Sequence, residues 1–225
     1  CLLTRARTKP ALMEMVQETY DCIEEIEQLL NDSLGLQQCG SITIASSDAS
    51  LKGLIALEEA ANRFGIPNER IDKARTRELL PWIDATHVDT ALYMPTDAFI
   101  DSASLCSGYA RAAQALGVEI RCNTQVSAIT TEDEAVTGVQ LADGQKITAP
   151  IVVNAAGSWA NLLMRPLHIG LPFTPVRSHF WISGTDKERF PVNHPFTVIP
   201  DARAFTRSDV GALIIGLRES ECQAF

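Results

Sequence analysis

The chain has 225 residues, 46% of them hydrophobic and 21% charged, enough to bury a sizeable core in one large or two interleaved domains. A net charge of −9 with no basic run argues against a nucleic-acid partner or an anionic membrane surface. No stretch approaches the roughly 20 apolar residues of a membrane span, and the six cysteines form no CxxC and do not cluster with the four histidines, so neither a zinc site nor a disulfide framework is indicated and reduced thiols in a cytoplasm fit best.

From Pro10 to Asn31, apolar residues recur at spacings of three and four (Leu12, Met15, Val16, Thr19, Ile23, Ile26, Leu29, Leu30), which predicts a long amphipathic helix. Gly35 and Gly40 bracket a turn, and Ser41 to Ala45 has the β-branched content of a strand. A second helix begins near Asp48 or Ser50 as cap and runs through Leu51, Leu54, Ile55, Leu57 and Ala61 to Gly65. Arg75 to Trp82 reads as a short helix halted by Pro81, and Thr90 to Pro95 as a strand. A third helix carries Asp101 as N-cap, a stripe of Leu105, Tyr109, Ala112, Ala113 and Leu116, and Gly117 as stop. Four strand-like runs follow, VEIRC, TQVSAITT, AVTGVQLADG and QKITAPIVVNAAG, with a hairpin turn at Ala142 to Gly144. Beyond Gly170 come four more, PVRSHFWIS, FTVIP, RAFTRS and GALIIGLRE.

The run from Val152 to Ala160, VVNAAGSWA, carries the most chemistry. Ile151, Val152 and Val153 are β-branched and uncharged, as a buried parallel strand should be. Asn154 to Gly157 then leave little bulk at a turn into a helix, so a phosphate or ribose could approach the backbone there. A tight strand-to-helix turn without a ligand would have the same composition. No GxGxxG fingerprint occurs, because none of the 13 glycines lie two positions apart.

Asp97 to Ile129 (DAFIDSASLCSGYARAAQALGVEIRCNTQVSAI), followed by IVVNAAGSWANLL and PFTPVRSHFWI, resembles the flavin-dependent D-amino-acid oxidase superfamily, in particular its glycine oxidase, sarcosine oxidase and dimethylglycine dehydrogenase branches. The resemblance runs from about Leu2 to Glu219 and implies a mixed α/β fold, in which part of a Rossmann-like FAD-binding domain (1–37 and 99–170) interleaves with an antiparallel-sheet substrate domain (38–98 and 171–225). It also implies an internal fragment: the family's GxGxxG strand would precede Leu2 and its closing segment would follow Glu219, so the piece alone would be inactive.

By position, the resemblance assigns FAD-binding roles to Val126, at a backbone contact to adenine, and to Ala155, Ala156 and Gly157, beside ribose and pyrophosphate, with Trp159 on the helix behind. Leu2, Leu3 and Thr4 match the stretch beside the isoalloxazine ring. Arg5 or Arg7 resembles an arginine near the flavin's reactive face, and Phe205 and Arg207 stand where relatives offer the substrate an aromatic and polar wall. Each has a plainer reading: Arg5 and Arg7 as a solvated pair, Trp159 as core, the alternation of His179, Phe180 and Trp181 as an ordinary half-exposed strand. His87, between Asp84 and Asp89, lacks a GxSxG nucleophile and reads as a loop histidine.

The implied activity is FAD-dependent oxidation of the C–N bond of a small amine or N-methyl amino acid, a hydride equivalent passing to the flavin and the imine hydrolysing in water. The electron acceptor is left open. Two alternatives stand beside it: a non-catalytic fragment or binding module derived from such an enzyme, and a flavin enzyme acting on a hydroxy acid or polyol phosphate.

Overall fold

The computed structural model describes residues 1–224; Phe225, the last residue of the expected substrate segment 171–225, lies outside the described residues. The chain forms two compact units, 1–118 with 178–221 and 119–177 with 222–224. In order, the first unit opens with β1 (Leu2–Leu3), α1 (Pro10–Leu30), β2 (Ser41–Ala45), α2 (Asp48–Arg63), β3 (Glu69–Ile71), α3 (Lys73–Leu79), β4 (Thr90–Met94), β5 (Ala98–Phe99) and α4 (Ser102–Ala115). The second unit supplies β6 (Val126–Glu132), β7 (Ala135–Leu141), β8 (Lys146–Thr148) and α5 (Ala160–Met164). The chain then returns to the first unit as β9 (His179–Ile182), β10 (Phe196–Ile199), β11 (Ala204–Asp209) and β12 (Ala212–Leu217).

The first unit is built on a seven-stranded sheet in the order β3-β4-β2-β10-β11-β12-β9. Its one parallel pairing, β10 with β2, joins strands more than 150 residues apart. The neighbouring pairs are antiparallel, including the meander from β10 through β11 to β12. Ile42, Ile44 and Ala91 reach nearly zero exposure on β2 and β4, which places the core under this half of the sheet.

Helix α1 starts with Pro10 in its first turn, where the missing N–H has no partner to lose, and stops at Asn31 in the left-handed region. Its buried face keeps Ile23 and Ile26 of the expected stripe and adds Met13 and Tyr20, while Leu12, Met15 and Leu29 are exposed. Two separate clusters set this face. Met13 packs with Ala6, Ala45 and Leu54, whereas Ile23 and Ile26 pack with Leu34, Ile100 and Ala112.

Helix α2 is capped by Ser47, ahead of both expected caps, Asp48 and Ser50, in a reciprocal box with Ser50. Asp201 reinforces that start, accepting from Ser47 Oγ at 2.6 Å and Ser50 Oγ at 2.7 Å. Asp101 caps α4 as predicted, its carboxylate accepting from Ser104 N at 2.8 Å. The α4 face matches the expected stripe only in part: Ala112 is buried and Leu105 packs beside it, but Tyr109 and Leu116 are exposed and Gly108 is buried instead, because Leu34 lies so close to Gly108 that a Cβ there would sit 2.5 Å from Leu34 Cδ2.

The second unit is a three-stranded antiparallel sheet, β6-β7-β8, whose β7–β8 hairpin turns at Ala142 to Gly144 as the sequence predicts. Val118 to Cys122 and Ile151 to Val153 are not strands. No strand pairs with either run among the described residues, and Ile151 and Val153 are 79% and 84% exposed. A β-branched run becomes a strand only where a neighbour takes up its backbone donors and acceptors.

Candidate functional site

Alternation along β11 puts Phe205 and Arg207 on the same face of the large sheet. Register extends that face sideways: Phe205 stands opposite Val198 and Gly216, Gly216 opposite Phe180, and Arg207 opposite Ile214. Together with Leu2 these residues line a cleft of about 770 Å³. Arg203 and Arg218 stand at its margin, Arg218 N donating to the Arg203 carbonyl at 2.9 Å. Among the described residues, three guanidinium groups and no carboxylate line a cleft that is otherwise mostly apolar. In such a setting a cation attracts an anion more strongly than in bulk water.

Arg207 is held by an aromatic ring and a long ion pair. Its guanidinium carbon lies 5.2 Å from the centre of the Phe99 ring, and the Asp209 carboxylate approaches only to 3.5 Å. Phe99 in turn pairs with Leu2 across the β1–β5 ladder. On the opposite face of β9, His179 Nδ1 meets the Glu219 carboxylate at 3.1 Å. Thus of the alternating residues His179, Phe180 and Trp181, it is Phe180 that lines the cleft.

The run from Leu3 to Arg7 is fastened elsewhere. Tyr20 OH donates to the Leu3 carbonyl at 2.8 Å. The Arg5 N–H donates to Asp97 Oδ1 at 2.7 Å, its Nε donates to the Thr96 carbonyl, and its guanidinium stacks 3.7 Å from the centre of the Tyr20 ring. Arg5 is therefore neither a solvated cation nor a wall of the cleft. Arg7, with Thr4, Ser41, Thr43 and Asp97, lines a second cleft of about 500 Å³. It shares Val198 and Pro200 with the first.

Asp97 received no role from sequence, although it opens the DAFIDS segment. Its side chain is fully buried and accepts from both Arg5 N and Ser41 Oγ, the latter at 2.6 Å. Burial pushes its carboxyl above the ordinary value, against the opposing pull of these two donors.

In the second unit, Val126, Ala155, Ala156 and Trp159 line one cavity of about 720 Å³, with Leu162 and Leu163 among its apolar walls. Trp159 is 69% exposed and does not belong to the core. Asn154 holds the turn, its Oδ1 accepting from Ala156 N at 3.2 Å and its Nδ2 donating to the Ala160 carbonyl at 3.0 Å. Gly157 follows at φ +52 with open space where a Cβ would stand, and lines a smaller adjoining hollow with Asn154.

The sequence matches the protein family described as FAD dependent oxidoreductase over residues 2–224. Among curated proteins it is similar to the mitochondrial pyruvate dehydrogenase phosphatase regulatory subunit of Mus musculus, 30% identical over 220 residues, and to the mitochondrial sarcosine dehydrogenase of Homo sapiens, 28% identical over 221 residues. Each alignment covers 96% of this chain, and 25% and 24% of those relatives. The chain thus spans about a quarter of their length. The fold is similar to that of L-proline dehydrogenase from P. horikoshii, with a TM-score of 0.83 at 23% identity, over 95% of this chain and 56% of that one.

Proposed function

The chain belongs to the FAD dependent oxidoreductase family, and on that premise we propose that the protein containing it oxidises the C–N bond of a small amine or N-methyl amino acid. The observation that carries this reading is the meeting of Leu2, Phe205 and Arg207 in one cleft that, among the described residues, holds three arginines and no carboxylate. A sarcosine dehydrogenase among the relatives supports the choice of an N-methyl amino acid.

The residues present fit the family's cofactor. In the second unit, small side chains at Ala155, Ala156 and Gly157 leave backbone open beside an apolar cavity, as the ribose and pyrophosphate of a dinucleotide require, and Val126 and Trp159 would border its adenine side. In the first unit, the buried Thr4 hydroxyl has no partner among the described residues, so it is available to a polar ring edge, with Leu2 and Leu3 as apolar neighbours. Segments 1–37 and 99–170 would then serve the cofactor, and 38–98 with 171–224 the substrate.

FAD, when bound, supplies the two-electron acceptor. The protein's residues bind and orient. Arg207, whose ion pair with Asp209 is long at 3.5 Å, takes the substrate carboxylate, and Phe205 and Ile214 exclude water from the amine carbon. Loss of two electrons and a proton from the neutral C–N unit would leave an iminium ion, which releases a second proton as the imine or is hydrolysed by water to a carbonyl compound and an amine.

The test is anaerobic addition of N-methylglycine to the full-length protein while visible flavin absorbance is followed, with trapping of the imino product. Bleaching with N-methylglycine is expected; turnover of a hydroxy acid with none of any amine would overturn the reading. A regulatory, non-catalytic role is the second reading, favoured by the relative named as a phosphatase regulatory subunit. A full-length protein that carries no flavin would support it.

A further inference from the structure

Gly216 is buried in β12, yet its backbone does not call for glycine. It is absent from the residues with positive φ, and an alanine or valine could adopt the same strand conformation. A glycine inside a strand also leaves a gap in the sheet face, which needs a reason. The reason is space. A Cβ on Gly216 would stand 2.1 Å from both Cε1 and Cζ of Phe205 and 2.8 Å from its Cδ1.

Phe205 and Gly216 are direct cross-strand partners, and Gly216 is in turn the partner of Phe180. The Phe205 ring therefore lies down across β12 and covers the glycine, in the manner by which aromatic residues cover glycines on sheet faces. Phe205 and Phe180 line the cleft whereas Gly216 does not, because the ring shields it. The ring's outward face is the cleft floor between Val198 and Phe180.

We propose that Gly216 is a specificity-determining positioning residue: the bare backbone is the seat of the Phe205 ring, and the depth of that seat sets how bulky a substituent the cleft accepts. This rests on the reading of the cleft as the substrate site. Any side chain at position 216 must lift the ring by roughly 1 Å or more to regain ordinary contact distance. The sheet closes the way down, so the ring rises into the cleft. Small substrates still fit beneath Arg207, and bulky ones collide.

The experiment uses the full-length protein and two probes, N-methylglycine and N-benzylglycine, with binding measured by titration calorimetry. For Gly216→Ala the expected result is a loss of about tenfold or more in N-benzylglycine affinity and of less than about threefold for N-methylglycine. Adding Phe205→Ala should return the ratio of the two affinities to the unsubstituted value or beyond it. Equal losses for both probes, no change in either, no binding of either probe to the unsubstituted protein, or a double variant that keeps the single variant's ratio would overturn the proposal. Should Gly216→Ala not accumulate folded, the double variant decides: folded recovery with the restored ratio supports the seat, and failure to fold overturns it. Flavin bleaching by N-methylglycine separates amine oxidation from the seating of the ring. A size split without bleaching strikes the amine-oxidation reading and leaves the seat standing, whereas bleaching without a size split strikes the seat alone.

Discussion

Asp97 and Ser41 are joined by a 2.6 Å hydrogen bond that links the segment before β5 to the first residue of β2, and both side chains are buried. The same carboxylate holds the Arg5 N–H at 2.7 Å, so one acidic group fastens the Leu2–Arg7 run to the sheet. Asp97→Ala leaves the buried Ser41 hydroxyl and the part-buried Arg5 N–H unpaired, and is expected to cost about 2–4 kcal/mol in urea unfolding, whereas Asp97→Asn, which keeps one acceptor, should cost less. An alanine variant as stable as the parent would show that the fastening is not energetic.

The pH dependence of stability follows from the same group. Its carboxyl titrates above the ordinary 3.8 in the folded protein because burial disfavours the charged form. The folded state therefore binds the proton more tightly than the unfolded state. The stability contributed by this difference is complete below the unfolded value and is lost as pH rises through the raised folded value. Asp97→Asn should remove that decline. Comparing unfolding midpoints of parent and variant from acid to neutral pH checks it, and parallel curves would contradict the assignment to Asp97.

Gly157 at φ +52 gives a third prediction. With open space around the position, a substitution meets no neighbour, and its cost is conformational. A valine there would strain the backbone by at least about 1–2 kcal/mol, and the turn would relax towards negative φ. Gly157→Val is expected to lower the flavin content of the full-length protein, read as the ratio of visible to protein absorbance. Gly157→Asn, which tolerates the left-handed region, should retain it. Unchanged flavin in the valine variant would place the cofactor elsewhere.

What could be read from the sequence was local. The Asp101 cap, the hairpin at Ala142 to Gly144 and the strands at 41–45, 90–94 and 196–217 depend on side chains close by in the chain, and all are present. The phase of α1 depended on Ala45 and Leu54, far along the chain, which bury Met13 and leave Leu12 outside. Ile151 to Val153 has strand composition, but a strand needs a ladder partner. The family pattern pointed to Phe205 and Arg207, which both line the cleft, while Phe180 was not separable from His179 and Trp181 because alternation does not say which face is inward. Gly216 was silent for the same reason: its purpose lies in a residue on the next strand.

Arg207 is expected to act on substrate and not on the fold. Arg207→Ala should raise the KM for an N-methyl amino acid by about 10- to 100-fold, the loss of one charge-assisted contact, with a smaller change in kcat. Because the Asp209 carboxylate comes only within 3.5 Å, removal of the guanidinium strands no tightly paired buried charge, and the unfolding midpoint should barely move. Steady-state kinetics over a substrate series checks the split. An amine lacking the carboxylate should be insensitive to the substitution, and equal sensitivity would show that Arg207 does not meet that group.

Arg5 should show the opposite behaviour, although sequence grouped it with Arg207. Its Nε bond to the Thr96 carbonyl and its stacking on Tyr20 occupy the side chain within the fold. Arg5→Ala removes a cation–π contact of about 0.5–2 kcal/mol and leaves the carbonyl without that donor. It is therefore expected to lower the unfolding midpoint while leaving KM within a few-fold. Arg5→Lys keeps the charge over the ring but loses the planar fork, and should recover only part of the stability. If Arg5→Ala instead raised KM with no loss of stability, Arg5 would belong among the substrate-binding groups, and its hold on Thr96 and Tyr20 would have to be broken in the working protein.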